Sequence, residues 1–207
     1  MLPKIFSFVG CPVIGQLGEE SIVTYQNYCE TCKRQNDVVQ FLDYSFDRWD
    51  GEDIVKTGNI YAVTDRLRNA LETSGLTGFS FHKMKTSKNE LFEEIDPNNE
   101  IIIPTFWQLE ISGKATGSSG WWEYQGECKD CYRPNWGYTD RVSRALMASV
   151  MGEIGPPRKV SIDSWQGESI FWLNDPGPPL VIDKVICLFN DLNITGVAFH
   201  PAEWETL

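Results

Sequence analysis

Four of the six cysteines form two pairs of identical spacing, Cys29-x-x-Cys32 and Cys128-x-x-Cys131. Each pair sits among charged and turn-forming residues, the setting in which two thiolates on a tight turn hold one side of a metal ion. Two such pairs that meet in space supply the four sulfur ligands of one tetrahedral zinc site. We therefore predict that these four cysteines bind a single zinc ion.

Two other states of these cysteines are compatible with the spacing: a local disulfide within each pair, or unrelated free thiols. The pairs lie far apart in the chain, so the sequence permits a shared site without requiring it. We expect a zinc-knuckle element built from residues 26–36 and 125–135. A site closed by four cysteines leaves no position for water, so the zinc would be structural.

Comparison of the chain with itself reveals a segment that occurs twice. The copies span residues 63–82 and 181–200 at one constant offset, and each ends in a histidine, His82 or His200. A residue repeated at the end of a predicted strand is usually architectural. We therefore assign both histidines a structural role.

Each copy is predicted to form a helix that leads into a short strand. Thr64 or Asp65 can accept hydrogen bonds from the first free amides of a helix over residues 66–74, and Gly75 can end that helix in the left-handed conformation. In the second copy, Asn193 takes the place of Gly75. Two helix–strand units are too few for a solenoid, so we expect both in one fold.

Seven other segments are rich in β-branched or aromatic residues and are predicted strands. They are residues 5–9, 21–25, 38–42, 60–63, 101–111, 159–162 and 170–173. A third helix is predicted over residues 140–151, and loops over residues 113–120, 155–157 and 175–179. No loop divides the chain clearly, so we expect a single domain, residues 1–207. The predicted elements indicate the α+β fold class, with mixed or antiparallel sheets and a few helices.

Charge and motifs argue against several classes of protein. The net charge of −11 opposes direct binding to nucleic acid, because phosphate contacts need a basic face, and favours a basic partner. The motifs of zinc deaminases, zinc proteases, phosphate-binding loops and nucleophile elbows are missing, so we expect no enzyme.

No stretch approaches the roughly 20 apolar residues of a membrane span, so we expect a cytoplasmic protein. Reducing conditions in the cytoplasm favour metal binding over disulfide formation by the cysteine pairs.

Three stretches, taken in order, resemble a known bacterial family. They are the pair Cys29/Cys32, the segments Trp49–Ile54, Gly58–Arg66 and Gly75–Phe79, and the pair Cys128/Cys131. Together they resemble the family named for a double CXXCG motif, a paralogous family of myxobacteria related to polymorphic-toxin immunity proteins. The chain departs from that motif at Lys33 and Tyr132, where glycine would ease the turn around a metal.

The resemblance implies an immunity protein, a cytosolic antidote that neutralises a cognate secreted antibacterial toxin by direct contact. The acidic charge favours a basic nuclease as that toxin, because opposite charge speeds association. An acidic segment could imitate phosphate and contact the toxin, although such a run is more often a solvated face. Its residues are Glu90, Glu93, Glu94, Asp96 and Glu100.

Other interpretations of the sequence remain open. Basic residues beside the knuckles, Arg34 and Arg133 among them, are compatible with a zinc-ribbon module that binds nucleic acid, and an adaptor role is a further alternative. A second acidic stretch runs from Asp43 to Asp53. Within it, Asp50 and Asp53 can hold a turn in place of contacting a partner.

Overall fold

The computed structural model describes residues 1–118, 122–138 and 157–206. The architecture of this part is mainly β-sheet with few helices, which agrees with the predicted α+β class in its mixed sheets. The helix predicted over residues 140–151 and the loop at 155–156 lie outside the described residues.

The described elements follow one another in short segments. The strands are β1 (Ile5–Val9), β2 (Gly15–Leu17), β3 (Ile22–Gln26), β4 (Asn36–Phe41), β5 (Asp43–Phe46), β6 (Ile54–Thr57), β7 (Ile60–Thr64), β8 (Phe79–Lys83), β9 (Lys85–Lys88), β10 (Phe106–Ile111), β11 (Gly113–Ala115), β12 (Gly117–Ser118), β13 (Trp122–Glu127), β14 (Pro134–Tyr138), β15 (Lys159–Ser161), β16 (Ile170–Leu173), β17 (Leu180–Ile182) and β18 (Ala198–Glu205). The helices are α1 (Asp65–Thr73), α2 (Glu90–Ile95) and α3 (Asp183–Asp191), with a 3-10 turn at Ile162–Ser164.

Helix α1 begins, and both repeated helices end, for the predicted reasons, whereas α3 follows Ile182 and has no side-chain cap. Thr64 caps α1, since its hydroxyl accepts a hydrogen bond from the amide of Leu67 at 3.4 Å, and Leu67 and Leu71 are buried on the packed face. Gly75 and Asn193 both have left-handed φ angles after their helices, +74° and +51°. Each helix then leads into a strand, β8 or β18.

Two predictions about strands are wrong. Residues 101–105, which precede β10, form no strand, and the predicted loop at 113–120 contains β11 and β12. A Cβ at Gly113 would lie 2.3 Å from the carbonyl oxygen of Ile170, and one at Gly117 would lie 2.1 Å from that of Lys159. These small residues resemble a linker in sequence, but here they allow close approach between neighbouring strands.

The strands form two corresponding sets of sheets. A seven-stranded sheet has the order β11-β16-β17-β1-β18-β15-β12, and the other set has a four-stranded sheet, β6-β7-β10-β8, and a three-stranded sheet, β2-β5-β9. The long strand β18 runs unbroken, whereas its counterparts β8 and β9 are separated at Met84. This break explains why one set forms a single sheet and the other forms two.

One strand of each half completes the sheet of the other half. β1, from the first half of the chain, lies between β17 and β18, and β10, from the second half, lies between β7 and β8. The registers correspond: His200 lies opposite Ser7, and His82 lies opposite Gln108. The two halves are therefore copies of one strand arrangement that exchange a central strand.

Contacts between the halves are reciprocal. The amide of Thr195 donates to Asp53 Oδ2 at 3.1 Å, and the amide of Thr77 donates to Ser169 Oγ at 3.2 Å. Thr77 and Thr195 occupy equivalent repeat positions, as do Asp53 and Ser169. Reciprocity of this kind is the signature of a twofold interface between two identical subunits, here contained within one chain.

The repeat also extends further upstream than residues 63 and 181. The indole Nε1 of Trp49 donates to the carbonyl of Glu52 at 3.0 Å, and that of Trp165 donates to the carbonyl of Glu168 at 2.9 Å. The sequence carries the signal, Trp-x-Gly-Glu, in both copies. The spacing between the copies differs slightly here from the spacing downstream. A comparison at one constant offset therefore does not detect this part of the repeat.

Two hydrophobic clusters hold these sheets together. The larger cluster contains Phe8, Leu67, Phe171 and Phe189 and draws on both halves. The smaller cluster lies around Tyr44, with aromatic residues of β5, α2 and β10. Because the larger cluster includes residues from each exchanged strand, burial of apolar area opposes separation of the halves.

We predict that a cut between the halves leaves them bound to each other. A protease site inserted between Pro97 and Asn98, both exposed, should yield two fragments that co-elute in size-exclusion chromatography without denaturant. The reason is that each fragment contributes a central strand to the other. The uncut insertion variant is the control, and separate elution of folded fragments would contradict the strand exchange.

Candidate metal centre

Two β-hairpins present the cysteine pairs. β3 and β4 pair antiparallel up to Gln26 and Asn36, and β13 and β14 pair up to Glu127 and Pro134. The connections between the paired strands contain Cys29 and Cys32 in one hairpin and Cys128 and Cys131 in the other. Each cysteine pair therefore lies at the tip of a hairpin.

The two tips have the same backbone hydrogen bonds. In the first, the amide of Cys29 donates to the carbonyl of Arg34 at 2.9 Å, and the amide of Lys33 donates to the carbonyl of Cys29 at 2.8 Å. In the second, the amide of Cys128 donates to the carbonyl of Arg133 at 2.9 Å, and the amide of Tyr132 donates to the carbonyl of Cys128 at 2.8 Å. The sequence-predicted knuckle element thus has one geometry in both hairpins.

The departures from the CXXCG motif do not prevent that geometry. Lys33 and Tyr132 both have φ of +56°, in the left-handed region that favours glycine. A residue with a Cβ adopts this conformation at a cost of about 1–2 kcal/mol. The turns retain the conformation that glycine would adopt more easily.

The four cysteine sulfurs meet between the hairpins. All four Sγ atoms lie within 4.8 Å of one another, and the pairs Cys29–Cys128 and Cys32–Cys131 are each 3.7 Å apart. A tetrahedron with zinc–sulfur bonds of about 2.3 Å has sulfur–sulfur edges of about 3.8 Å. All six cysteines of the chain are free, and the four thiolates could hold a metal ion such as zinc.

Two arginines tie the hairpins to each other. Arg34 Nη1 donates to the carbonyl of Pro134 at 2.7 Å, and Arg34 Nη2 donates to Asn135 Oδ1 at 2.7 Å. In the other direction, Arg133 Nη2 donates to the carbonyl of Asn27. The sequence marked these arginines only as basic neighbours of the cysteines; their role in joining the hairpins depends on the tertiary structure.

Local groups favour the thiolate form that a metal requires at Cys32 and Cys128, whereas burial and the neighbouring cysteines raise the pKa of Cys131 to about 11. The guanidinium and the backbone amide of Arg34 lower the pKa of Cys32 to about 6. The backbone amides of Cys131 and Asp130 lower the pKa of Cys128. Thiolate is the form of cysteine that binds metal, so these contacts prepare the site for a cation.

The other two cysteines lie in different surroundings. Cys11 is buried in the larger hydrophobic cluster, and burial raises its pKa to about 12. Cys187 is exposed on α3. The clustering of the remaining four cysteines is therefore selective.

The predicted acidic surface is divided by the structure. Glu90, Glu93, Glu94 and Glu100 are exposed on or just after α2. Asp96 is buried: it accepts from Lys88 Nζ at 2.8 Å and from the amides of Glu100 and Ile101 at 2.8 and 3.0 Å, and Lys88 lowers its pKa. Asp96 therefore organises the loop, and the four glutamates form the accessible acidic surface.

The second acidic stretch also contains a structural residue. Asp53 is 4% exposed and accepts hydrogen bonds from the hydroxyl of Thr64 at 2.9 Å and from Arg66 Nε at 3.2 Å. Together with its contact to Thr195, this places Asp53 between the two halves.

The two repeated histidines lie outside the core: both His82 and His200 are on exposed faces of their strands.

The chain matches no protein-family model and no curated protein. Among the described residues, no helix is both long and apolar enough to cross a membrane.

Proposed function

We propose that the protein is a zinc-stabilised immunity protein that binds and neutralises a cognate antibacterial toxin. The observation that carries this proposal is the meeting of two distant cysteine pairs with matched turn geometry. The double CXXCG motif implies such a composite site. The chain thus belongs, in this proposal, to the family that it resembles, with zinc in a structural role.

The zinc part of the proposal rests on the donor set. Four cysteine ligands at tetrahedral spacing are typical of structural zinc and leave no coordination position open for substrate. Arg34 and Arg133 add hydrogen bonds across the same junction. Zinc would therefore fasten the two hairpins to each other, and no catalytic role is proposed for it.

The partner part of the proposal rests on charge and on the resemblance. The net charge of −11 favours rapid association with a basic protein, and a nuclease toxin has a basic cleft for its nucleic-acid substrate. Nucleic acid itself is a weaker candidate, because Arg34 and Arg133 are engaged with backbone carbonyls and Lys33 pairs with Glu30 at 2.7 Å.

A toxin-protection assay tests this function. The toxin gene expected beside the gene for this chain is expressed in a sensitive host with and without the chain. Survival only with the chain, together with co-purification of the two proteins, supports immunity. Equal killing in both strains contradicts it, and retardation of DNA or RNA by the purified chain alone would favour the zinc-ribbon alternative.

The exposed glutamates of α2 are predicted to speed association with the toxin. Replacing Glu90, Glu93 and Glu94 by glutamine should lower the association rate constant about tenfold at low salt and weaken its dependence on ionic strength. Surface plasmon resonance at two salt concentrations measures both effects. Glu203→Gln, an exposed acid on β18, is the control, and equal rates for both variants would exclude α2 from the interface.

A further inference from the structure

We propose that a cleft beside His82 receives one arginine or lysine side chain of the bound protein. This inference rests on the proposed immunity function and deepens it by naming the contact. The cleft opens between β4, in the hairpin that carries Cys29 and Cys32, and strands β7, β8 and β10. Its volume is about 530 Å³. This volume lies within the range of about 300–1,000 Å³ that is usual for ligand sites.

The charge of the cleft favours a cation. Among the residues that line it, Glu110 is the one carboxylate, and none is a lysine or an arginine. His82 Nε2 lies 2.6 Å from Glu110 Oε2, and the Ser80 hydroxyl donates to the same oxygen at 3.3 Å. Within the described part of the chain, no hydrogen bond reaches Oε1 of Glu110, so this oxygen can accept one from a ligand.

The walls of the cleft suit the stem of a long cationic side chain. Val38, Val39 and Ile60 provide aliphatic surface beside Trp172, whose ring lies 6.1 Å from that of Tyr61. Arginine and lysine place their methylene groups along such surface while the charged end contacts polar groups. Arginine adds favourable stacking on an aromatic ring.

Side-chain amides complete the lining. Gln40, Asn59 and Gln108 border the cleft, and across the described ranges their side chains make no hydrogen bond within the protein. Each amide oxygen can accept from a guanidinium or ammonium donor. The cleft therefore combines one negative charge, uncommitted acceptors and an apolar wall.

Comparison of the two halves separates this cleft from the repeated architecture. The histidine is duplicated, since His200 occupies the position of His82. The neighbouring position differs: the residue opposite Ser80 is Glu110, whereas the residue opposite the equivalent Ala198 is Val9. The repeat accounts for the histidine and does not account for the carboxylate. Of the two equivalent sites, only the one beside His82 has the acidic group that a cationic side chain requires.

The test uses the intact chain and a small probe, independent of any toxin. Amide shifts of ¹⁵N-labelled protein are followed by NMR during titration with N-acetyl-arginine methylamide, and then with its neutral citrulline counterpart. Shifts at residues 38–40, 82 and 108–111 with the arginine probe alone are expected. Glu110→Gln should weaken that binding about tenfold, and Glu203→Gln, which removes an exposed charge on β18, should leave it unchanged.

Several outcomes would overturn the proposal. They are equal shifts with the citrulline probe, shifts confined to other residues, or no effect of Glu110→Gln while that variant keeps the folded spectrum. A negative probe titration beside a positive protection assay refutes the cleft and leaves immunity standing. Probe binding without protection leaves a cation pocket and refutes the immunity function.

Discussion

Loss of the metal is expected to lower the melting temperature by about 10 °C. If free zinc exceeds its dissociation constant by about a thousandfold, binding stabilises the folded state by about 4 kcal/mol, and each kcal/mol shifts the melting temperature of a chain this size by about 2–4 °C. The double variant Cys29→Ser, Cys128→Ser should contain no zinc, and the wild type about one ion per chain. Elemental analysis and thermal denaturation measure these quantities.

The other two cysteines supply matched controls for this experiment. Cys187→Ser, on the exposed face of α3, should change neither zinc content nor melting temperature. Cys11→Ser should lower stability, because it places a hydroxyl in the larger hydrophobic cluster, but should keep the zinc. Wild-type protein that is purified without chelator and contains no metal would refute the zinc site.

Replacing Asp53 by alanine is expected to destabilise the fold by about 3 kcal/mol. The substitution removes the carboxylate that accepts hydrogen bonds from the Thr64 hydroxyl and the Thr195 amide. Through these two bonds, Asp53 joins β6 and β7 to the second half. The ion pair with Arg66 contributes less, since the arginine side chain is 52% exposed and water screens it. Urea denaturation gives the free energy of unfolding.

The second half suggests the control for Asp53. Ser169 occupies the equivalent position and accepts from the Thr77 amide, so Asp53→Ser should retain part of the stability that Asp53→Ala loses. Asp50→Asn, in an exposed position, should have little effect. Equal stability of the alanine variant and the wild type would show that this contact does not hold the halves together.

The amino-acid sequence determined the local features of this protein. The cysteine spacing predicted two turns, Thr64 and Gly75 predicted the ends of α1, and the repeated segment predicted two helix–strand units. Each of these depends on contacts between residues close in the chain, such as the Thr64 hydroxyl with the Leu67 amide. Propensity and spacing are sufficient for contacts of this kind.

The tertiary structure alone decided which distant segments meet. The exchange of β1 and β10, the use of Gly113 and Gly117 in strands and the junction of the two hairpins all bring together residues far apart in sequence. Strand propensity shows that a segment can pair, but the partner is selected by burial and register across the whole fold. For this reason the sequence predicted which four cysteines could bind a metal, while only the folded chain placed their sulfurs within 4.8 Å of one another.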